Sequence, residues 1–88
     1  MLKVANVIKR MEANGIKVEK VETVCEWGTQ VKYYATTENM VGEFYDNGNG
    51  ETGNVYTHRK GKHDDLQSDY FCGSFANTIK QAIDWMLH

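Results

Sequence analysis

Apolar positions recur at helical spacing near both ends of the chain and at strand spacing between them. Val4, Val7, Ile8 and Met11 fall at i, i+3, i+4 and i+7, so residues 1–14 are expected to form a helix with one apolar face. Lys9 and Arg10 lie near its carboxyl end, where positive charge complements the helix dipole, and Gly15 after Asn14 suits a left-handed terminator. From Ile16 to Glu26 the pattern alternates, then slips after Lys20 because Val21 and Val24 are three apart. A bulge or kink is the expected reason. Trp27-Gly28 punctuates, and 29–36 (TQVKYYAT) reads as the returning strand of a hairpin. Residues 40–45 form a third strand weakened by Gly42, and 55–59 a fourth. Between them DNGNGETGN (46–54) is rich in residues that accept positive φ and is expected to be a long, mobile hairpin tip. Ser74 is placed to cap a last helix, because Phe75, Ala76, Ile79, Ala82, Ile83 and Met86 repeat at helical spacing.

The element order is therefore α-β-β-β-β-α. The fold class it predicts is α+β: an antiparallel four-stranded sheet with an N-terminal and a C-terminal helix packed on one face. Eighty-eight residues make one domain, 1–88. A chain of this size buries roughly 60–65% of its unfolded surface. That leaves little volume for a deep, water-excluding pocket, so a binding module is expected rather than an enzyme.

Charge narrows the partner classes only slightly. Ten Lys and Arg against twelve Asp and Glu give a formal charge of −2, without the overall basic excess usual in proteins that neutralise many phosphates. No apolar run approaches the ~20 residues of a membrane-spanning helix. No charged start with an apolar core precedes a cleavage site, so a cytoplasmic location is expected. Cys25 and Cys72 then read as reduced thiols, with a disulfide between them left open.

Chemistry is densest over 56–75, YTHRKGKHDDLQSDYFCGSF. His58, Arg59, Lys60, Lys62 and His63 run into Asp64 and Asp65, and Asp69, Tyr70 and Phe71 follow. The ordinary reading is a solvated loop whose charges balance. The functional reading is a local positive patch that reaches carboxylates or phosphates, with Gly61 letting the backbone approach. His58, His63, Asp64, Asp65, Asp69 and Cys72 supply metal donors but no metal-site spacing, so no metal and no cofactor is expected. Cys72 and the neighbouring Asp64 and Asp65 lack a partner arrangement for nucleophilic or paired-carboxylate catalysis. Tyr70 and Phe71 serve either as core anchors or, with Asp69, as a displayed rim. Trp27, in a turn beside Gly28, is the better candidate for an exposed aromatic anchor.

Asp65-Leu66-Gln67-Ser68-Asp69-Tyr70-Phe71 resembles the Asp-x-x-(Ser/Thr)-Asp-Tyr-Phe run of the large polyvalent protein associated domain, family 29, in which a leading helix and a hairpin precede this element. Asn14-Gly15 stands where that family has Phe-Pro, and no proline follows Phe71. The resemblance implies a phage or mobile-element accessory protein acting on a host, and it brings no catalytic residues. Together these readings predict a small module that binds a host macromolecule, a host protein first, inhibiting a defence or regulatory complex. Arg59, Lys60 and Lys62 would steer by charge, and Tyr70 and Trp27 would anchor. The alternatives are a nucleic-acid-binding accessory that adds Tyr33 and Tyr34 as stacking groups to the 58–63 loop, and, less favoured, a metal-dependent enzyme using His58, His63 and Asp64 or Asp65. The chain is expected as a monomer or a homodimer paired through an exposed strand edge.

Overall fold

The computed structural model describes residues 1–60 and 73–88. Its elements in chain order are β1 (Leu2–Lys3), α1 (Val4–Ala13), β2 (Lys17–Cys25), β3 (Gly28–Thr36), β4 (Met40–Asp46), β5 (Glu51–Thr52), β6 (Val55–Arg59), β7 (Ser74–Ala76) and α2 (Ile79–Leu87). The class is α+β, with a five-stranded antiparallel sheet in the order β2-β3-β4-β6-β7 and a separate β1–β5 pair. Two expectations are corrected. The main sheet has a fifth strand, and the chain opens on a two-residue strand before its first helix.

Both corrections have local causes. Leu2 and Lys3 pair with Thr52 and Glu51, so the loop after β4 is a tether for the chain start and not simply a mobile tip. The Asp46 carboxylate accepts from the amides of Gly48 (2.8 Å) and Gly50 (3.0 Å), and the Asn47 side chain accepts from Asn49 (2.9 Å). Thus folded, the loop points the Gly50 carbonyl at the Val4 amide (2.9 Å), satisfying a free donor of α1 that Lys3 leaves without a side-chain cap. At the other end of α1, Gly15 adopts φ +78 and the Ile16 amide reaches back to the Met11 carbonyl at 3.0 Å, a Schellman ending.

The fifth strand comes from residues that the sequence pattern assigns to the last helix. Ser74, Phe75 and Ala76 pair with Thr57, Tyr56 and Val55. Ser74 is therefore in a strand, and Thr78 caps α2: its hydroxyl accepts from the Gln81 amide at 3.1 Å, while the Gln81 side chain accepts from the Asn77 amide at 3.0 Å. This is a variant of the capping box, written in the sequence as Thr78-Ile79-Lys80-Gln81. The expected bulge in β2 is also absent, because the pairing with β3 runs unbroken from Lys17–Thr36 to Cys25–Gly28. Val21 and Val24 break the apolar alternation because they are exposed, on a part of the hairpin that projects past the core.

Both helices share a single core with one face of the sheet. Val4, Val7 and Met11 from α1 and Ala82, Ile83 and Met86 from α2 close over Ala35, Phe44, Val55 and Ala76. Tyr33 stacks on Phe44 with ring centroids 5.2 Å apart. Gly42 sets how near α2 can come. A Cβ there would lie 2.7 Å from Met86 Sδ and 3.3 Å from Val55 Cγ1, so the glycine that weakens β4 as a strand makes room for the helix.

Candidate functional site

The opposite face of the sheet carries the polar chemistry. Alternation and register put Lys32, Tyr34, Val41, Glu43, Tyr45, Tyr56, His58 and Phe75 on that side. Tyr34, Glu43, Tyr56 and Phe75 form one row across four strands, with Lys32 beside Tyr45 in the next row and Val41 beside His58 in another. At the centre the Glu43 carboxylate receives Lys32 Nζ on Oε1 and His58 Nε2 on Oε2. Lys32 Nζ also sits over the Tyr34 ring at 4.7 Å and the Tyr45 ring at 5.0 Å. The Tyr56 ring packs against His58 at 5.3 Å and Phe75 at 4.8 Å.

His58 therefore differs from its expected role in a solvated basic loop. Its side chain is buried, its Nδ1 lies 2.7 Å from the Arg59 carbonyl, and its Nε2 meets a carboxylate. Both ring nitrogens face acceptors. Two arrangements satisfy both contacts: an imidazolium against the Glu43 carboxylate, or a neutral imidazole that donates from Nδ1–H and accepts at Nε2 from a protonated Glu43. Burial pushes the Lys32 ammonium down, but its hydrogen bonds to Glu43, Tyr34 and Tyr45 and the Glu43 charge outweigh this, holding it above the ordinary lysine range. The polar atoms of the cluster partner one another, which suits a structural network that fixes the strands to one another.

The remaining described site residues, Arg59, Lys60 and Trp27, are divided between the two ends of the sheet. Arg59, exposed, and Lys60, half-buried, end β6 beside Met40, and the Lys60 amide donates to the Asn39 carbonyl at 3.0 Å. They border an open groove of about 890 Å³ shared with Trp85 and His88. Trp27, with 89% of its surface exposed, occupies the two-residue turn at the other end of β3. Nine residues of β3 at ~3.3 Å each separate these ends by about 26 Å. Arg59 and Lys60 consequently do not form one surface with Trp27. Tyr33 and Tyr34 do not form one stacking platform either, since they point to opposite faces. Lys62, His63, Asp69 and Tyr70, with Asp64, Asp65, Phe71 and Cys72, lie outside the described residues. Among the described residues, no three His, Cys, Asp or Glu side chains are grouped as metal ligands.

Sequence reasoning misses Glu43 as the partner of His58 and Lys32 as the second partner of Glu43. The available signal is Met40-Val41-Gly42-Glu43-Phe44-Tyr45, in which both alternating faces are largely apolar. A lone Glu in such a strand needs a buried cation. No family model, no curated protein and no solved structure matches the chain.

Proposed function

We propose that this chain is a small accessory protein that acts by binding another protein, and that Trp27 is its principal anchor. The observation that supports the reading is the arm formed by β2 and β3. Trp27 is 89% exposed and Val24 85% exposed at its end, while neither belongs to the shared core. A large aromatic held out on a tight two-residue turn loses little conformational freedom on binding, which is why Trp dominates interface energetics. Arg59 and Lys60, about 26 Å away along the sheet, contribute long-range steering and not the anchor. On the resemblance at 65–71, the partner is a host protein met by a phage or mobile element, and its inhibition is the outcome.

The test is affinity capture from a nuclease-treated bacterial lysate with three baits: the wild type, Trp27→Ala, and an Arg59→Ala/Lys60→Ala/Lys62→Ala triple variant. The expected result is one protein held stoichiometrically by the wild type, with affinity reduced at least ~30-fold in Trp27→Ala. The triple variant should lose mainly association rate. Equal capture by Trp27→Ala would overturn the assignment of the anchor. Recovery of nucleic acid alone, with a steep salt dependence, would replace the protein partner with a nucleic acid.

A further inference from the structure

Among the described residues the sheet has two edges, β2 and β7. β7 spans three residues, whereas β2 spans nine and is regularly paired with β3 along its whole length. A long regular edge offers a row of unpaired amides and carbonyls to another strand. Reversed about Val21, the sequence of β2, Lys-Val-Glu-Lys-Val-Glu-Thr-Val-Cys, sets Lys20 against Glu22, Val18 against Val24 and Val21 against itself, with Glu19 against Thr23 and Lys17 against Cys25 at the ends.

We propose that β2 pairs antiparallel with β2 of a second copy of this chain, about a two-fold axis through Val21, joining two five-stranded sheets into one. In this register Lys20 faces Glu22 of the partner subunit and Glu22 faces Lys20 of the partner subunit. Val18 faces the partner's Val24, and Val21 faces the partner's Val21. Each pair shares one face of the sheet, so the charges meet directly and the valines cover one another. Within a single chain Lys20 and Glu22 pair with each other at 3.1 Å, largely in solvent, while Val21 and Val24 are exposed.

Backbone geometry selects this register. The two-residue turn makes Cys25 and Gly28 the hydrogen-bonded pair that closes the hairpin. By alternation the odd-numbered residues of β2 bond to β3, and Val18, Lys20, Glu22 and Val24 turn their amides and carbonyls to the free edge. All four find partners in the Val21-centred register. Centring instead on Glu19, Lys20 or Glu22 puts that charge against its own copy, which is unfavourable. Trp27 lies beyond Cys25, the last residue of the paired span, so the arm tip that anchors the proposed partner remains outside the interface in both copies. The competing explanation is that these charges protect the edge against pairing, and it requires a monomer.

Sedimentation velocity of the full chain over a concentration series tests the proposal. The expected mass is twice 10.1 kDa. Glu22→Lys places like charges across the axis twice and should raise the dissociation constant at least about tenfold. Lys20→Glu/Glu22→Lys restores opposite charges and should restore the dimer. A monomeric wild type would overturn the proposal. So would Glu22→Lys dimerising as well as wild type, or a double variant that folds, as judged by circular dichroism, yet stays monomeric. In a Cys25→Ser/Cys72→Ser background, Val21→Cys should cross-link on oxidation, because non-hydrogen-bonded pairs place Cα atoms ~4.5 Å apart, within disulfide reach. A dimer that does not cross-link there has another register. Trp27→Ala should leave the mass unchanged, which separates failure of the dimer from failure of the anchor.

Discussion

Removing Glu43 tests whether the network behind the sheet holds the strands together. In Glu43→Ala, His58 loses its partner at Nε2 and Lys32 loses its counter-charge. Hydrogen bonds to charged groups contribute about 1.5–3 kcal/mol each. The two losses are unequal. His58 has no exposed side-chain surface and cannot recruit water without opening the sheet, whereas the Lys32 side chain is 21% exposed and partly resolvates. Taking the upper range for His58 and the lower for Lys32 gives a destabilisation of about 3–5 kcal/mol, the range for breaking a buried charged pair. For a domain of this length that corresponds to a fall in Tm of roughly 12 °C or more.

Glu43→Gln sharpens the test. The Gln carbonyl can accept from Lys32 while its amide donates to His58 Nε2, provided the imidazole is neutral with its proton on Nδ1 facing the Arg59 carbonyl. Every polar atom keeps a partner, so the cost should be near 1 kcal/mol, the mean value of an ordinary hydrogen bond. Urea unfolding at neutral pH, followed by circular dichroism with the slope checked for constancy, measures both variants. Imidazole nitrogen shifts then report which arrangement His58 adopts in the wild type and in Glu43→Gln. A cost below about 1 kcal/mol for Glu43→Ala would mean that the three side chains are effectively solvated, and the account of this face would fail.

Gly42→Ala forces a Cβ to 2.7 Å from Met86 Sδ, and should cost about 1–3 kcal/mol in thermal unfolding as α2 shifts outward. Thr78→Ala removes the acceptor for the Gln81 amide and should cost about 1 kcal/mol, visible as earlier loss of helical signal on heating. Lys32 is held above its ordinary value of 10.5, so its stabilisation is fully present below that pH and is lost as pH rises through the higher folded value. The stability gap between wild type and Lys32→Met should therefore narrow above pH 10.5, and a gap that widens there would reverse the sign of the argument.

How legible each part of the fold is depends on whether its cause lies within a few residues. The face of α1 and the span of β3 follow from local periodicity, and the helix ending at Gly15 from a single residue type. The start of α2 was equally local, since Thr78-x-x-Gln81 is a capping signature. The apolar spacing of Phe75 and Ala76 hides it, because strand and helix share that spacing over so short a run. Phe75 becomes a strand residue only through Tyr56, nineteen positions away in the chain, and no local pattern encodes that pairing. His58 follows the same logic. Beside Arg59 and Lys60 it reads as one of a run of positive groups, yet in β6 it alternates away from Arg59 and meets Glu43, fifteen residues earlier. A charge run that enters a strand is split between two faces, and the member that is buried, His58, serves the sheet. Trp27 is the opposite case. Its turn is local, its neighbours across the hairpin are fixed by a two-residue connection, and its exposure follows from the arm extending past the last residue that the helices cover. The placement of Trp27 needs no distant partner, and this is why the arm is the part of the chain on which the proposed function can be tested first.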